Sequence, residues 1–126
     1  MASQNNSGAQ YDKQHAITIV ATVAVAAARF VAYDGGYATA AGGAKDAQGV
    51  SEQAGAAGDA ISLITSYSAP VEASEAIAFG AYVKPAVDGS GKAAVGTLAD
   101  HCGRALGTAG AAGQLVEVQI VRHVHA

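Results

Sequence analysis

Asp100, His101 and Cys102 are adjacent in this sequence and contain the side-chain types of an orienting acid, a base and a nucleophile. A Cys-His pair works only when the imidazole lies within hydrogen-bond reach of the thiol, whereas neighbours on a strand point to opposite faces. We therefore expect no catalytic dyad here, and we predict that Cys102 fills a small apolar site. Because it is the single cysteine, the sequence also allows no intrachain disulfide.

A second short segment, Gly89-Ser90-Gly91-Lys92, is similar to the end of a phosphate-binding loop. The full motif needs a glycine where Ala86 stands, for the opening turn, and Ser or Thr where Ala93 stands, to bind Mg²⁺. Both residues are missing. The segment instead predicts a hairpin loop that carries a solvated lysine.

The remaining candidates for chemistry are two histidines and two glutamates. His123 and His125 would share one face of an extended C-terminal segment, but two imidazoles make an incomplete metal site, and we expect a solvated polar tail. Glu72 and Glu75 could act as an acid–base pair only if local geometry brought them together, and we interpret them as surface charges. The sequence thus predicts a protein that is not an enzyme and has no cofactor or metal.

The composition indicates one domain with a light core. The chain has 126 residues, of which 51% are hydrophobic, but alanine supplies a large share of these and Trp is absent. Alanine buries little apolar area, and the 16 glycines lose much backbone entropy on folding. We expect marginal stability that contacts with a partner would increase. The net charge is −3 and the seven Lys and Arg form no basic run, which excludes the electrostatic pattern of a nucleic-acid-binding protein.

Residues 16–28 are apolar enough to suggest a secretory signal or a membrane segment. Asp12 lies in the region that should be positive, and Arg29 ends the run before the roughly 20 residues that a membrane span requires. Ile17 and Ile19 alternate with polar residues, which favours a strand. We predict no membrane partner.

The pentapeptide AGAAG occurs twice, at residues 54–58 and 109–113, and each copy precedes a strand-like alternation. Matched positions in and after the two copies lie 55 residues apart. Matched residues before them, nearer the N-terminus, lie 52–54 residues apart. This pattern predicts two similar β halves, about 16–66 and 68–122, related by a pseudo-twofold. The matched pairs are Phe30 with Tyr82, Asp34 with Asp88, Gly49 with Gly103, and Ile61 with Val116.

The fold class that we predict is mainly β: a small antiparallel β-barrel or sandwich built from two similar halves, with a flexible N-terminal arm. The arm spans 1–14, the β domain 15–122 and the C-terminal tail 123–126. Residues 34–36 and 88–91 predict hairpin turns, whereas 51–57 and 106–112 predict either short helical turns or loops. Strands are expected at 15–21, 29–33, 36–40, 60–66, 69–73, 80–85, 92–96 and 115–122.

An ordered series of short segments carries a family likeness. The chain resembles the small capsid cement, or head decoration, proteins of tailed bacteriophages over about residues 16–122. The segments are Arg29-Phe30-Val31, Gly49-Val50-Ser51 before AGAAG, Val71-Glu72-Ala73 leading to Ala76-Ile77 and Gly80-Ala81, residues 88–93, Gly103-Arg104-Ala105-Leu106, and residues 113–118.

The resemblance implies a virion structural protein that is made in the host bacterial cytoplasm and binds the outer capsid surface. It implies two partners: the major capsid protein, whose contacts the subunit would stabilise, and other copies of itself, with a homotrimer favoured over a homodimer. We expect the arm to order on the capsid or a neighbouring subunit through Tyr11, Asp12, Lys13 and Gln14.

An alternative function is a surface module that recognises a glycan or a host protein through exposed aromatic residues. The candidate side chains are Tyr33, Tyr37, Tyr67 and Tyr82.

Overall fold

The computed structural model describes residues 13–39 and 41–124. They form eight strands and one turn of 3₁₀ helix, Gly43–Lys45. Within this part of the chain no helix is long and apolar enough to span a membrane. The strands are β1 Lys13–Val20, β2 Phe30–Ala32, β3 Ala47–Ser51, β4 Ala60–Glu72, β5 Tyr82–Pro85, β6 Ala93–Val95, β7 His101–Ala105 and β8 Leu115–Val124.

The strands form one antiparallel, nearly closed barrel-like sheet, which confirms the predicted fold class. The order is β2-β3-β4-β8-β7-β5-β6, and β1 pairs separately with β4. The ends of this order approach each other, since Phe30 donates its N–H to the Gly91 carbonyl (2.7 Å). A parallel bridge between Ala73 and Ala93 adds a second link. The chain thus surrounds its core with few open edges.

The two halves repeat the same pairings. β1 with β4 corresponds to β4 with β8, β2 with β3 to β5 with β7, and β3 with β4 to β7 with β8. The isolated bridge Val25–Gly55 likewise corresponds to Ile77–Ala109. All four matched pairs from the sequence occupy equivalent places, as predicted. The boundary between the halves lies inside β4, because the first part of this strand completes one half and the last part begins the other.

Each half has a small core made of equivalent residues. In the second half the equivalent side chains belong to a larger cluster, which also includes Phe30, Val50 and Ile64 from the first half. The apolar contact between the halves is therefore made on the second core. The first core contains Ala21, Val25, Val31, Ile61 and Leu63 with Ile17, Ile19 and Tyr37 against it, and the matching residues are Ala73, Ile77, Val83, Val116 and Val118 with Ala69 and Val71.

Three predictions about the elements need correction, and one that left two alternatives open is decided. In the predicted strand 36–40, the described residues 36–39 form no strand, although Tyr37 makes one bridge to Val31. The predicted strands 60–66 and 69–73 are one strand, β4, because Pro70 sits opposite Glu117 at a position whose N–H would point away from β8. Of the two alternatives for 51–57 and 106–112, the loop is present in both segments, and Ser51 ends β3. β3 and β7 were missed, since Gly49 and Gly103 lower their local strand propensity.

Both predicted hairpin turns are present and alike. Gly35 and Gly89 adopt positive φ values of 87° and 79°, which glycine tolerates best. In each turn the preceding aspartate, Asp34 or Asp88, accepts a backbone N–H two residues on at 2.9 Å. The turn chemistry read from the sequence is thus confirmed.

Candidate functional site

A cluster of charged side chains joins the two halves. The Arg29 guanidinium donates to the Ser90 carbonyl (2.9 Å) and to Glu72 (3.0 Å), and it lies 5.8 Å from the Tyr37 ring centre. Lys92 approaches the other oxygen of Glu72 at 3.2 Å. Arg29 directly precedes β2 of the first half, whereas Ser90, Glu72 and Lys92 belong to the second half. These ion pairs and hydrogen bonds therefore join the two halves.

Glu72 is held ionised at the centre of this cluster. Burial opposes ionisation, yet the hydrogen bonds from Lys92 and Arg29 outweigh it and lower the pKa of Glu72 below its usual value. A carboxylate that is neutralised by two cations is a structural ion pair rather than a general base. The sequence interpretation of Glu72 as a plain surface charge missed this role.

An apolar groove of about 430 Å³ lies beside the charged cluster. It lies between the loop at Ala27 and Ala28, the end of β3, the middle and last part of β4, and the start of β8, where Leu115 is 55% exposed. Its polar groups are few, and the Ser51 hydroxyl already donates to the Ala26 carbonyl (2.7 Å). The groove can hold an apolar side chain and offers no nucleophile–base pair. Its lining residues are Ala27, Ala28, Ser51, Glu52, Ile64, Ser68, Pro70 and Leu115.

His123 is not part of a solvated tail, because β8 continues through Val124 and buries the imidazole. Its Nδ1 accepts the Ala47 N–H at 3.0 Å. Asp46 lies 3.7 Å from Nδ1, and Asp100 lies 3.5 Å from Nε2. These polar partners come from loops far away in sequence, so local reasoning could not find them. His125 lies outside the described residues.

Cys102 lies in the core with 1% of its surface exposed, as predicted. Burial, and then the charges of Asp100 and Asp46, raise the pKa of its thiol well above the usual value. The Nδ1 of His101 instead lies 3.1 Å from the carbonyls of Thr97 and Leu98. A reactive cysteine needs a stabilised thiolate, and this environment does the opposite.

We expect Cys102 to resist thiol reagents in the folded protein. Native protein should react with a disulfide reagent only as fast as it unfolds, whereas protein in denaturant should react at once. Stopped-flow labelling of the V87C variant supplies the control, because position 87 is 80% exposed and should add one fast thiol per chain. Equal rates at both thiols would contradict the buried placement.

The described residues contain no group of three or more His, Cys, Asp or Glu side chains that could hold a metal ion. Their exposed apolar side chains are spread over several loops and strand ends. Those at least 60% exposed are Val20, Tyr33, Phe79, Val87 and Leu98.

The residues predicted to bind a partner lie at the start of the chain. Tyr11 and Asp12 lie outside the described residues. Lys13 and Gln14 are the first two residues of β1 rather than part of an arm, and Lys13 pairs with Tyr67 of β4. Their role in binding stays a prediction. The sequence did not reveal that β1, the strand to which they belong, has one edge that no described strand pairs with.

This geometry defines a class of fold, a doubled antiparallel β unit closed into a barrel-like sheet. No protein-family model matches the chain, and no curated protein matches it. Among solved structures, the fold is similar to the N base of the head fiber protein gp8.5 of bacteriophage phi29. The two chains are 19% identical with a TM-score of 0.62, and the match covers 89% of this chain and 98% of the phage chain.

Proposed function

We propose that this chain is a structural protein of a phage virion, a capsid cement or decoration subunit that binds the outer surface of the head. The observation that carries the proposal is the fold match, which takes in nearly the whole base of a phage head fiber. The resemblance of residues 16–122 to cement proteins supports the same class from independent evidence. Because the two chains are 19% identical, the structural match shows similarity of fold alone.

The chemistry of the described residues is consistent with a structural role. Arg29 and Glu72 join the halves, His123 is held between two aspartates, and the thiol of Cys102 is buried. These four side chains are thus used in holding the fold. We propose that the protein is not an enzyme and that its partners are the major capsid protein and other copies of itself.

The alternative, recognition of a glycan or host protein by exposed aromatics, receives less support. Tyr37 uses its hydroxyl to accept the Ala26 N–H (2.8 Å), and Tyr82 lies 4.4 Å beneath the Arg104 guanidinium. Of the four tyrosines, Tyr33 alone is exposed, at 61%. Aromatic platforms for sugars need free ring faces, so the virion role is preferred.

The test is whether the purified chain binds to phage heads that were assembled without it. We expect the purified chain to co-sediment with them saturably and to appear as density on the outer surface by cryo-EM. A variant without residues 1–12, which leaves β1 whole, should bind more weakly, and its heads should release DNA at a lower temperature.

The control is the thermal unfolding of the truncated chain alone, which should match that of the full chain. Absence of co-sedimentation would refute the capsid role, and unchanged binding by the truncated chain would refute the role of the arm.

A further inference from the structure

Among the described residues, β1 pairs along only one of its two edges. Ala21 donates its N–H to the backbone carbonyl of Asp59 (2.9 Å). Because bonded residues alternate along an antiparallel pair, the backbone N–H and C=O groups of Ile17 and Ile19 also point toward β4. Ala16 and Thr18 alternate with these residues, so their N–H and C=O groups point away from β4. No described residue bonds to these four groups.

This open edge is short and well bounded. Beyond Val20 the first hairpin turn closes it, since a Cβ on Gly35 would lie only 2.6 Å from the Val20 carbonyl oxygen. At the other end the register of β1 on β4 is interrupted between Lys13 and Ala16. The groups available to another strand are therefore those of Ala16 and Thr18.

Two other edges in the described chain, along the last part of β4 and along β6, are blocked. The residue equivalent to Thr18 in the second half is Pro70, which has no N–H to offer. Nearby, Glu72 donates its N–H to a carbonyl of the first half at 2.9 Å. On β6, the Val95 N–H is bound by the Glu75 carboxylate at 2.9 Å. Proteins block edges in these ways to prevent pairing, so the unblocked edge of β1 is the exception.

The apolar side chains of β1 are also incompletely buried. Ile17 and Ile19 pack on the first core but remain half-buried. Their equivalents, Ala69 and Val71, are 0% exposed because the first half of the same fold covers them. The first core therefore lacks the cover that the second core has.

We propose that β1 pairs antiparallel with β1 of a second copy of this chain, across a two-fold axis at Ile17. In this register Ala16 stands opposite Thr18 of the second copy, and all four open backbone groups of each chain find a partner. The two Ile17 side chains lie opposite each other on the core side, where they extend the first core across the axis.

A second copy suits this edge better than an unrelated strand. A two-fold antiparallel contact matches each donor of the edge with an acceptor of the same edge, so the surface is self-complementary. Residues 16–20, Ala-Ile-Thr-Ile-Val, carry no charge that would repel a copy of themselves. This contact makes a dimer, which is the less favoured of the two oligomers that the sequence resemblance implies.

Charge complementation at Thr18 tests the contact. The wild-type chain should sediment as a dimer. T18K and T18E should each raise the dissociation constant of the dimer at least about tenfold and shift the chain toward monomer, because like charges meet near the axis. A mixture of T18K and T18E should restore the dimer. T18P, which copies the sealed residue of the second half, should also be monomeric. V95K, on the capped edge of β6, is the matched control and should stay dimeric.

Analytical ultracentrifugation at about 10 to 100 µM covers the range in which an edge contact of moderate strength should be populated. Cooperative thermal unfolding identifies folded variants, and T18P and T18E decide the matter if T18K does not fold. Three results would overturn the proposal. The wild-type chain could be a monomer or a trimer, the dimer could persist in T18K and T18P, or the chain could be a monomer that pairs only on heads. The measurement needs no capsid, so its failure is distinct from failure of the virion role.

Discussion

Replacing Gly103 by alanine should cost about 3 kcal/mol of unfolding free energy, near the upper end of overpacking effects. A Cβ at this position would lie 2.4 Å from Cγ1 of the buried Val118 and 2.7 Å from the Gln119 carbonyl oxygen. Neither neighbour has room to retreat, because Val118 is 0% exposed and the carbonyl belongs to the adjacent strand. Urea unfolding measured by circular dichroism gives the difference directly.

The matched control is Gly110→Ala, whose nearest neighbour is the flexible Gln114 side chain at 3.5 Å. This variant should stay within about 0.5 kcal/mol of wild type. Gly49, the equivalent of Gly103, should behave like Gly103, since its Cβ would lie 2.6 Å from the Ile64 carbonyl oxygen. Equal stabilities of G103A and G110A would show that close strand contact does not constrain these positions.

Replacing Arg29 by alanine should also cost about 3 kcal/mol, because Oε1 of the partly buried Glu72 carboxylate and the Ser90 carbonyl both lose their Arg29 donor, while Lys92 stays at Oε2. The side chains of Arg29 and Glu72 are only 16% and 26% exposed. The contact joins the halves, so we expect cooperative unfolding to weaken as well. Chemical denaturation followed at two spectroscopic wavelengths would detect separate transitions.

The control is K45A, which breaks the pair between Lys45 and Asp34. These side chains are 43% and 35% exposed, so the loss should not exceed about 0.5 kcal/mol.

The effect of R29A should also depend on pH. The pKa of Glu72 is lowered in the folded protein, so its ion pairs contribute at neutral pH and are lost as the pH falls through that pKa. The difference between wild type and R29A should therefore narrow in acid. A difference that is constant with pH would contradict the assigned role of Glu72.

The candidate surfaces were only partly predictable. The sequence indicated that the thiol of Cys102 would be buried, because a single cysteine in an apolar setting usually is. It could not indicate that His123 lies between Asp46 and Asp100, since pairings over tens of residues leave no local pattern. The open edge of β1 is invisible in sequence for a related reason. Which of two strand edges stays unpaired depends on where every other strand lies.

The sequence by itself determined the fold class, the duplication and the hairpin turns. These depend on local alternation, on repeated residue types and on glycines that adopt positive φ, and such signals are complete within short segments. The tertiary structure decided that β4 is one strand shared by both halves, that Arg29 reaches Glu72 across the junction, and that the second core is covered while the first is not. Those outcomes depend on long-range packing. Equivalent residues of the two halves meet different neighbours, because the first half packs on the second core and no described part of the chain packs on the first core in the same way.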